Sequence, residues 1–185
     1  MNRKGKTVCA LLLVQLLAWG VFVPTADAGK LVRLAAQSRQ WGGSWDSTST
    51  APAGGGVVIY TKSFTIPAPK AGQQAVVFVG MAAAIEQDAG PFITFKCEID
   101  GNPCNSGSRS GLPAGWIYLQ NSAVNTHFAG VAYTWCAKVS SGAHTATVRM
   151  ASSDGTNVYL TTAHFFIDRT ELKASTADDC ETGTP

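Results

Sequence analysis

The 185-residue sequence predicts an all-β fold, an antiparallel β-sandwich of about eight strands with no substantial helix once its first 28 residues are set aside. Three observations predict it. Short apolar and β-branched runs recur with Gly, Pro, Asn or Ser clusters between them. None carries a sustained i, i+3, i+4, i+7 stripe. Several alternate with the period of two that burial of one face requires.

Taken in order, the runs place strands at 30–36, 57–66, 75–85, 92–100, 115–120, 127–139, 143–151 and 157–168. The stretch 39–56, RQWGGSWDSTSTAPAGGG, interrupts the pattern with two tryptophans among Gly, Ser and Thr, and reads as a long surface loop. In HTATVRM, residues His144, Ala146, Val148 and Met150 share the face expected to meet the core, opposite Thr145, Thr147 and Arg149. VYLTTAHFFID, from Val158 to Asp168, alternates less cleanly and reads as a central strand covered on both faces. Ser140-Ser141-Gly142 and Asp154-Gly155 supply turns between the last three strands, which read as an antiparallel meander. The acidic tail 173–185 has no apolar pattern and needs Cys180 to hold it down.

The N-terminus has the order of a secretory signal peptide: Arg3, Lys4 and Lys6, an apolar run from Val8 to Val23, then Ala26-Asp27-Ala28. That run is shorter than the roughly 20 residues a membrane span needs, and no second run of that kind follows. Residues 1–28 are therefore expected to be cleaved, leaving a secreted or periplasmic chain with no membrane span and one domain over 29–172. Removing Arg3, Lys4, Lys6 and Asp27 from 14 bases and 12 acids leaves eleven of each. A neutral chain with scattered bases lacks the clustered Lys and Arg that phosphate neutralisation requires, which argues against nucleic acid as a partner.

Cys9 leaves with the signal, so Cys97, Cys104, Cys136 and Cys180 remain, an even number in an exported chain. KCEIDGNPCNSGS, residues 96–108, sets Asp100-Gly101 between two cysteines. A tight reversal there brings its flanks side by side, where a disulfide is geometrically easy. The expected pairing, of the three that four cysteines allow, is Cys97 with Cys104 and Cys136 with Cys180. A calcium loop through Glu98, Asp100 and Asn102 lacks the terminal glutamate, because the twelfth position counted from Asp100 is Gly111. A zinc site needs free thiolates, and catalytic redox chemistry favours C-x-x-C. No metal and no cofactor is expected.

Catalytic constellations are equally sparse. GSRSG at 107–111 has Arg109 where a nucleophile elbow has serine. His127, His144 and His164 fall on strands or strand edges, form no H-x-H or H-x-x-x-H pair, and read as hydrogen-bonded structural residues. The carboxylates Glu86, Asp88, Glu98, Asp100, Asp154 and Asp168 lie mostly at turns or strand ends, without the pairing glycoside hydrolysis uses. Ligand-binding candidates are instead the aromatic residues in or beside loops, Trp41, Trp45, Trp116 and Tyr118, with Asp46 and Arg109. Exposed aromatic faces beside amide and carboxylate groups stack on sugar rings. The competing expectation is that these rings fill the core.

The run YTWCAKVSSGAHTATVRMASSDG, followed by VYLTTAHFFID, resembles the closing strands of exported jelly-roll sandwiches. There a Gly-x-His-Thr turn introduces the penultimate strand and a strand of mixed apolar pattern closes the sheet. The resemblance implies a jelly-roll-like architecture and no functional residue. The expectation is a non-catalytic binding module or adhesin-like protein recognising a glycan or another extracellular surface. The alternatives are a structural or assembly subunit of an extracellular layer or fibre, acting through 39–56 or the edge strands, and a hydrolase of carbohydrate or ester.

Overall fold

A computed structural model describes residues 30–40, 55–87, 92–105, 116–121, 127–152, 158–177 and 180. The strands are β1 (Val32–Gln40), β2 (Val57–Ile66), β3 (Gln73–Gln87), β4 (Phe92–Ile99), β5 (Asn102–Pro103), β6 (Trp116–Asn121), β7 (His127–Val139), β8 (Gly142–Ser152) and β9 (Val158–Lys173). One helical turn, α1 (Ala174–Ala177), follows. All pairings are antiparallel.

One sheet runs β1-β9-β3-β7. The other runs β2-β8-β4, with β5 and β6 both pairing β4. Strands that follow one another in sequence fall in opposite sheets except for β4, β5 and β6, which all lie in the second. Outside that run the alternation is that of a jelly roll, here a four-stranded and a five-stranded sheet wrapped from one chain. It overturns the meander expected at the end of the chain: β7 and β9 lie in the first sheet and β8 in the second. Ser140 and Ser141 make a short connection, but it steps across the sandwich, because each strand buries one apolar face and the two faces close on each other.

The core is the set of inward residues from both sheets, including Val77, Val79, Met81 and Ile85 on β3, Phe95 on β4, Trp135 on β7, Val148 and Met150 on β8, and Phe165 and Ile167 on β9. Tyr60 of β2 stacks on Phe165 of β9 with centroids 4.5 Å apart, tying one sheet to the other. Ala146, Val148 and Met150 are buried, while Thr145, Thr147 and Arg149 are partly exposed, as their alternation predicts. β9 departs from its expectation. Its register with β3 shifts between Ala84 and Ile85, which pair Thr162 and Leu160, so Thr161 is an extra residue. The bulge puts Leu160 on the same core side as Ala163, Phe165 and Ile167, all buried, and leaves Thr162 and His164 exposed. The inversion accounts for the apolar residues on both sides of the pattern, and cover on both faces is confined to the far end of the strand, where Asp168 and Thr170 are buried on the outer face.

Both disulfides form as expected, Cys97–Cys104 and Cys136–Cys180. Asp100 and Gly101 carry φ of 53° and 81° and close a two-residue turn between Ile99 and Asn102, the conformation Asp-Gly favours. Directly after Cys104, Asn105 bridges Cys136 through two backbone hydrogen bonds of 2.8 and 3.3 Å, fastening the hairpin to the edge of the opposite sheet. The second disulfide folds the tail onto the outer face of the first sheet. There Val76, Ala177 and Cys180 are buried, packed with Phe78, Cys136 and Leu172. The first strand also runs further than expected, to Gln40, so residues 39 and 40 of the anticipated loop are strand paired with β9.

Candidate functional site

Three strand registers build the site on the outer face of the first sheet. One cross-sheet row is Ser38, His164, Ala82 and Ala132; the next is Gln40, Thr162, Ala84 and Gly130. Alanine and glycine therefore floor two adjacent rows over β3 and β7, and the taller polar side chains stand over β1 and β9. The result is an open trough of about 900 Å³ lined by Ser38, Thr162, His164, Ala82, Ala84, Gly130 and Ala132 among others. It crosses four strands, about 14 Å between the outermost at a spacing of ~4.8 Å.

The wall is polar. Ser38 Oγ and His164 Nδ1 are 2.8 Å apart, a direct consequence of their opposed positions on β1 and β9. Among the described residues no carboxylate contacts His164. What the pair offers is hydroxyl and imidazole hydrogen bonding toward the floor. Arg39 has the opposite facing and reaches between the sheets toward the Ile59 carbonyl at 3.5 Å.

Phe166 stands in the row beyond Ala82 and His164. It lies opposite Gly80, and a Cβ added at Gly80 would sit 1.9 Å from Phe166 Cζ. Arg33 stacks over the same ring at 4.8 Å while its guanidinium pairs with the buried Asp168. Beyond Phe166 the face is occupied by the disulfide-held tail. Gly130 is the opposite case, since a Cβ there would meet nothing within 4 Å.

A second polar cluster sits at the disulfide hairpin. His144 Nδ1 lies 2.6 Å from Asp100 Oδ2 and its Nε2 donates to the Ser140 carbonyl at 3.0 Å, while the Thr145 amide donates to Asp100 Oδ1 at 2.8 Å. Partial burial pushes the Asp100 carboxyl up, but the hydrogen bonds from His144 and Thr145 outweigh it and hold it below its ordinary range. Glu98 behaves alike: burial raises it, and hydrogen bonds from Lys96 and Arg149, with Lys96 Nζ at 2.7 Å and Arg149 Nε at 2.8 Å, bring it below. Both carboxylates are spent in structural pairs. Among the described residues no three His, Cys, Asp or Glu side chains are grouped to hold a metal ion.

Of the sequence-predicted ligand residues, Trp41, Trp45, Asp46 and Arg109 lie outside the described residues. Trp116 is described and is 5% exposed. It pairs with Lys96 on the outer face of the second sheet, and its ring packs at Gly56, which precedes β2. The free ring face that stacking needs is therefore missing at Trp116. Tyr118 pairs with Thr94, and its side chain lies outside the described residues. None of these described residues lines the trough. Ser38, His164, Ala82 and Ala132 carry no motif in the sequence and are united by strand register alone.

No family model matches the chain, and no curated protein matches it. Solved structures with a similar course include dimeric latent PorU from Porphyromonas gingivalis, at 10% identity and TM-score 0.35, over 80% of this chain and 14% of that one. The C-terminal CBM6 of LamC, a marine laminarinase from Zobellia galactanivorans, aligns at 12% identity and TM-score 0.30, over 74% of this chain and 99% of that one. A carbohydrate-binding module from Cellvibrio mixtus lichenase 5A, in complex with cellotriose, aligns at 15% identity and TM-score 0.27, over 75% and 97%.

Proposed function

We propose that the protein is an exported, non-catalytic binding module whose ligand is a glycan lying in the trough on the outer face of the first sheet. The observation that carries this reading is the pair of Ala and Gly rows beside the Ser38–His164 wall. A floor of small side chains leaves room for a ring-shaped, hydroxyl-rich ligand to lie against the sheet, and the wall supplies polar groups for its hydroxyls. Trp41, Trp45 and Asp46, which follow Gln40 within a few residues of sequence and lie outside the described residues, are the stacking and hydrogen-bonding candidates of this reading. Export is supported by the two disulfides, which persist in oxidising compartments.

The test is a glycan array followed by calorimetry on the best ligand, with Ala82→Leu as the decisive variant. Ala82 is exposed on the central strand β3, so leucine fills the trough without entering the core. Binding is expected to fall at least tenfold in Ala82→Leu and in His164→Ala, with the folded state intact by circular dichroism. A glycan that binds all variants equally would place the site elsewhere.

A further inference from the structure

His144 joins two turns at one end of the sandwich. It stands near the start of β8, its ring centroid 5.7 Å from that of Phe64 on β2 and its side chain 9% exposed. Its Nδ1 meets Asp100 Oδ2 of the β4–β5 turn at 2.6 Å, and its Nε2 meets the carbonyl of Ser140, in the β7–β8 turn, at 3.0 Å. Asp100 is also fixed independently of the histidine. Its amide donates to the Thr145 carbonyl at 2.9 Å and its Oδ1 accepts from the Thr145 amide at 2.8 Å, which carries the β4–β8 pairing past Ile99.

Both partners of the ring are acceptors. A carbonyl oxygen can only accept, and the Asp100 carboxyl, which burial raises less than its hydrogen bonds lower, is a carboxylate at neutral pH. A neutral imidazole has one N–H, so it satisfies one of the two and sets a lone pair against the other. Only the imidazolium donates to both. The packed strands bring cations to this end as well. Lys138 of β7 lines a cavity of about 360 Å³ together with Asp100, Asn102, Ser140 and His144, and Lys62 of β2 pairs Ala146, two residues along β8. Those cations oppose a charged ring and Asp100 favours it, so Asp100 is the group that holds the proton in place.

We propose that His144 is a proton-operated latch: doubly protonated it ties the β4–β5 turn to the β7–β8 turn, and on losing its Nε2 proton to solvent it releases Ser140. The proton leaves Nε2 because Nδ1–H keeps the charge-assisted bond to the carboxylate. The freed Nε2 lone pair then faces the Ser140 carbonyl and repels it, and the 140–142 turn swings away. Ser140, Ser141 and Gly142 are exposed, and Gly142 has φ of 131°, where a residue without Cβ re-orients at low cost. The other turn stays in place, held by the Cys97–Cys104 disulfide and by Thr145. The latch is therefore closed at acid pH and open at alkaline pH, and opening widens the cavity on the Ser140 side. Its residues are separate from the trough, so it does not depend on the glycan reading.

The experiment is nuclear magnetic resonance of the ring nitrogens and backbone amides in the same samples, from about pH 5 to about pH 9, the span that contains histidine titration. Both ring nitrogens are expected to carry protons at the acid end. As pH rises, Nε2 alone should lose its proton, and the Ser141 and Gly142 amide signals should move with the same midpoint while Thr145 keeps its exchange protection. Asp100→Asn removes the anion and should shift that midpoint to lower pH, and His144→Gln should abolish the movement. Amides at 141 and 142 that ignore the titration of the ring would overturn the proposal. So would loss of the Nδ1 proton in place of the Nε2 proton, an unchanged midpoint in Asp100→Asn, or the same movement in folded His144→Gln.

Discussion

Replacing Gly80 by alanine is expected to destabilise the protein by about 2 kcal/mol, although glycine in a strand interior ordinarily costs stability. The added Cβ would stand 1.9, 2.2 and 2.4 Å from three atoms of the Phe166 ring. Carbon atoms rest near 3.5–4.0 Å, so the ring must withdraw by about 1.5 Å. Overpacking of that size costs roughly 1–3 kcal/mol, and the displaced ring also loosens the Arg33 contact, worth about 0.5–1 kcal/mol. The strand gain of alanine over glycine, about 0.5–1 kcal/mol, offsets part of this. Gly130 is the control in the same sheet: its Cβ position is open, and Gly130→Ala should stabilise by about 0.5 kcal/mol. Urea denaturation reads both, the first as a midpoint about 1 M lower at a slope of ~2 kcal/mol/M. Adding Phe166→Ala should make Gly80→Ala nearly neutral, because the clashing ring is gone. Equal effects of the two glycine substitutions, or strict additivity with Phe166→Ala, would refute the reasoning.

Cys180→Ser is expected to lower stability by roughly 4 kcal/mol on the chain-entropy scale for a separation of 44 residues, and to raise dye binding as Val76 and Phe78 are uncovered; calorimetry and a fluorescent apolar probe check it. Arg33→Ala removes the partner of the buried Asp168 carboxylate and should cost about 2 kcal/mol, discounted from the 3–5 of a fully buried pair because Arg33 is half exposed. On the acid side, Asp100 and Glu98 have folded values below their unfolded ones near 3.8 and 4.5, so their contribution is complete above those values and lost as pH falls through the lower folded ones. Asp100→Asn should therefore flatten the acid limb of a stability-against-pH profile, with little change at pH 7 to 8 in the limb's slope.

The legible parts of the fold were those encoded within a few residues. Asp100-Gly101 between two cysteines announces both a turn and a disulfide, because the φ values needed there suit those residues and the turn itself brings the sulfurs together. The partition into strands follows from side-chain alternation in the same way. What local pattern cannot carry is the sheet each strand joins. Ser140-Ser141 looks like any hairpin connection, yet β7 and β8 face each other across the core. Thr161 illustrates a second blind spot, since a single bulged residue exchanges the two faces of β9 part-way along the strand. The trough was invisible for the same reason: Ala82, Ala84, Gly130 and Ala132 are unremarkable apart, and become a floor when β3 and β7 pair in that register. Trp116 shows the converse. As an aromatic beside a loop it reads as a ligand platform, yet it is 5% exposed with the tip of its ring at Gly56.

The most direct test of the trough as the glycan site is nuclear magnetic resonance on protein carrying labelled alanine methyl groups, titrated with the best glycan from the array. Ala82, Ala84 and Ala132 line the trough, while Ala75, Ala137 and Ala146 are buried in the core. Progressive shifts confined to the first set are the predicted result. Saturable binding that leaves those three methyl signals unmoved would contradict it.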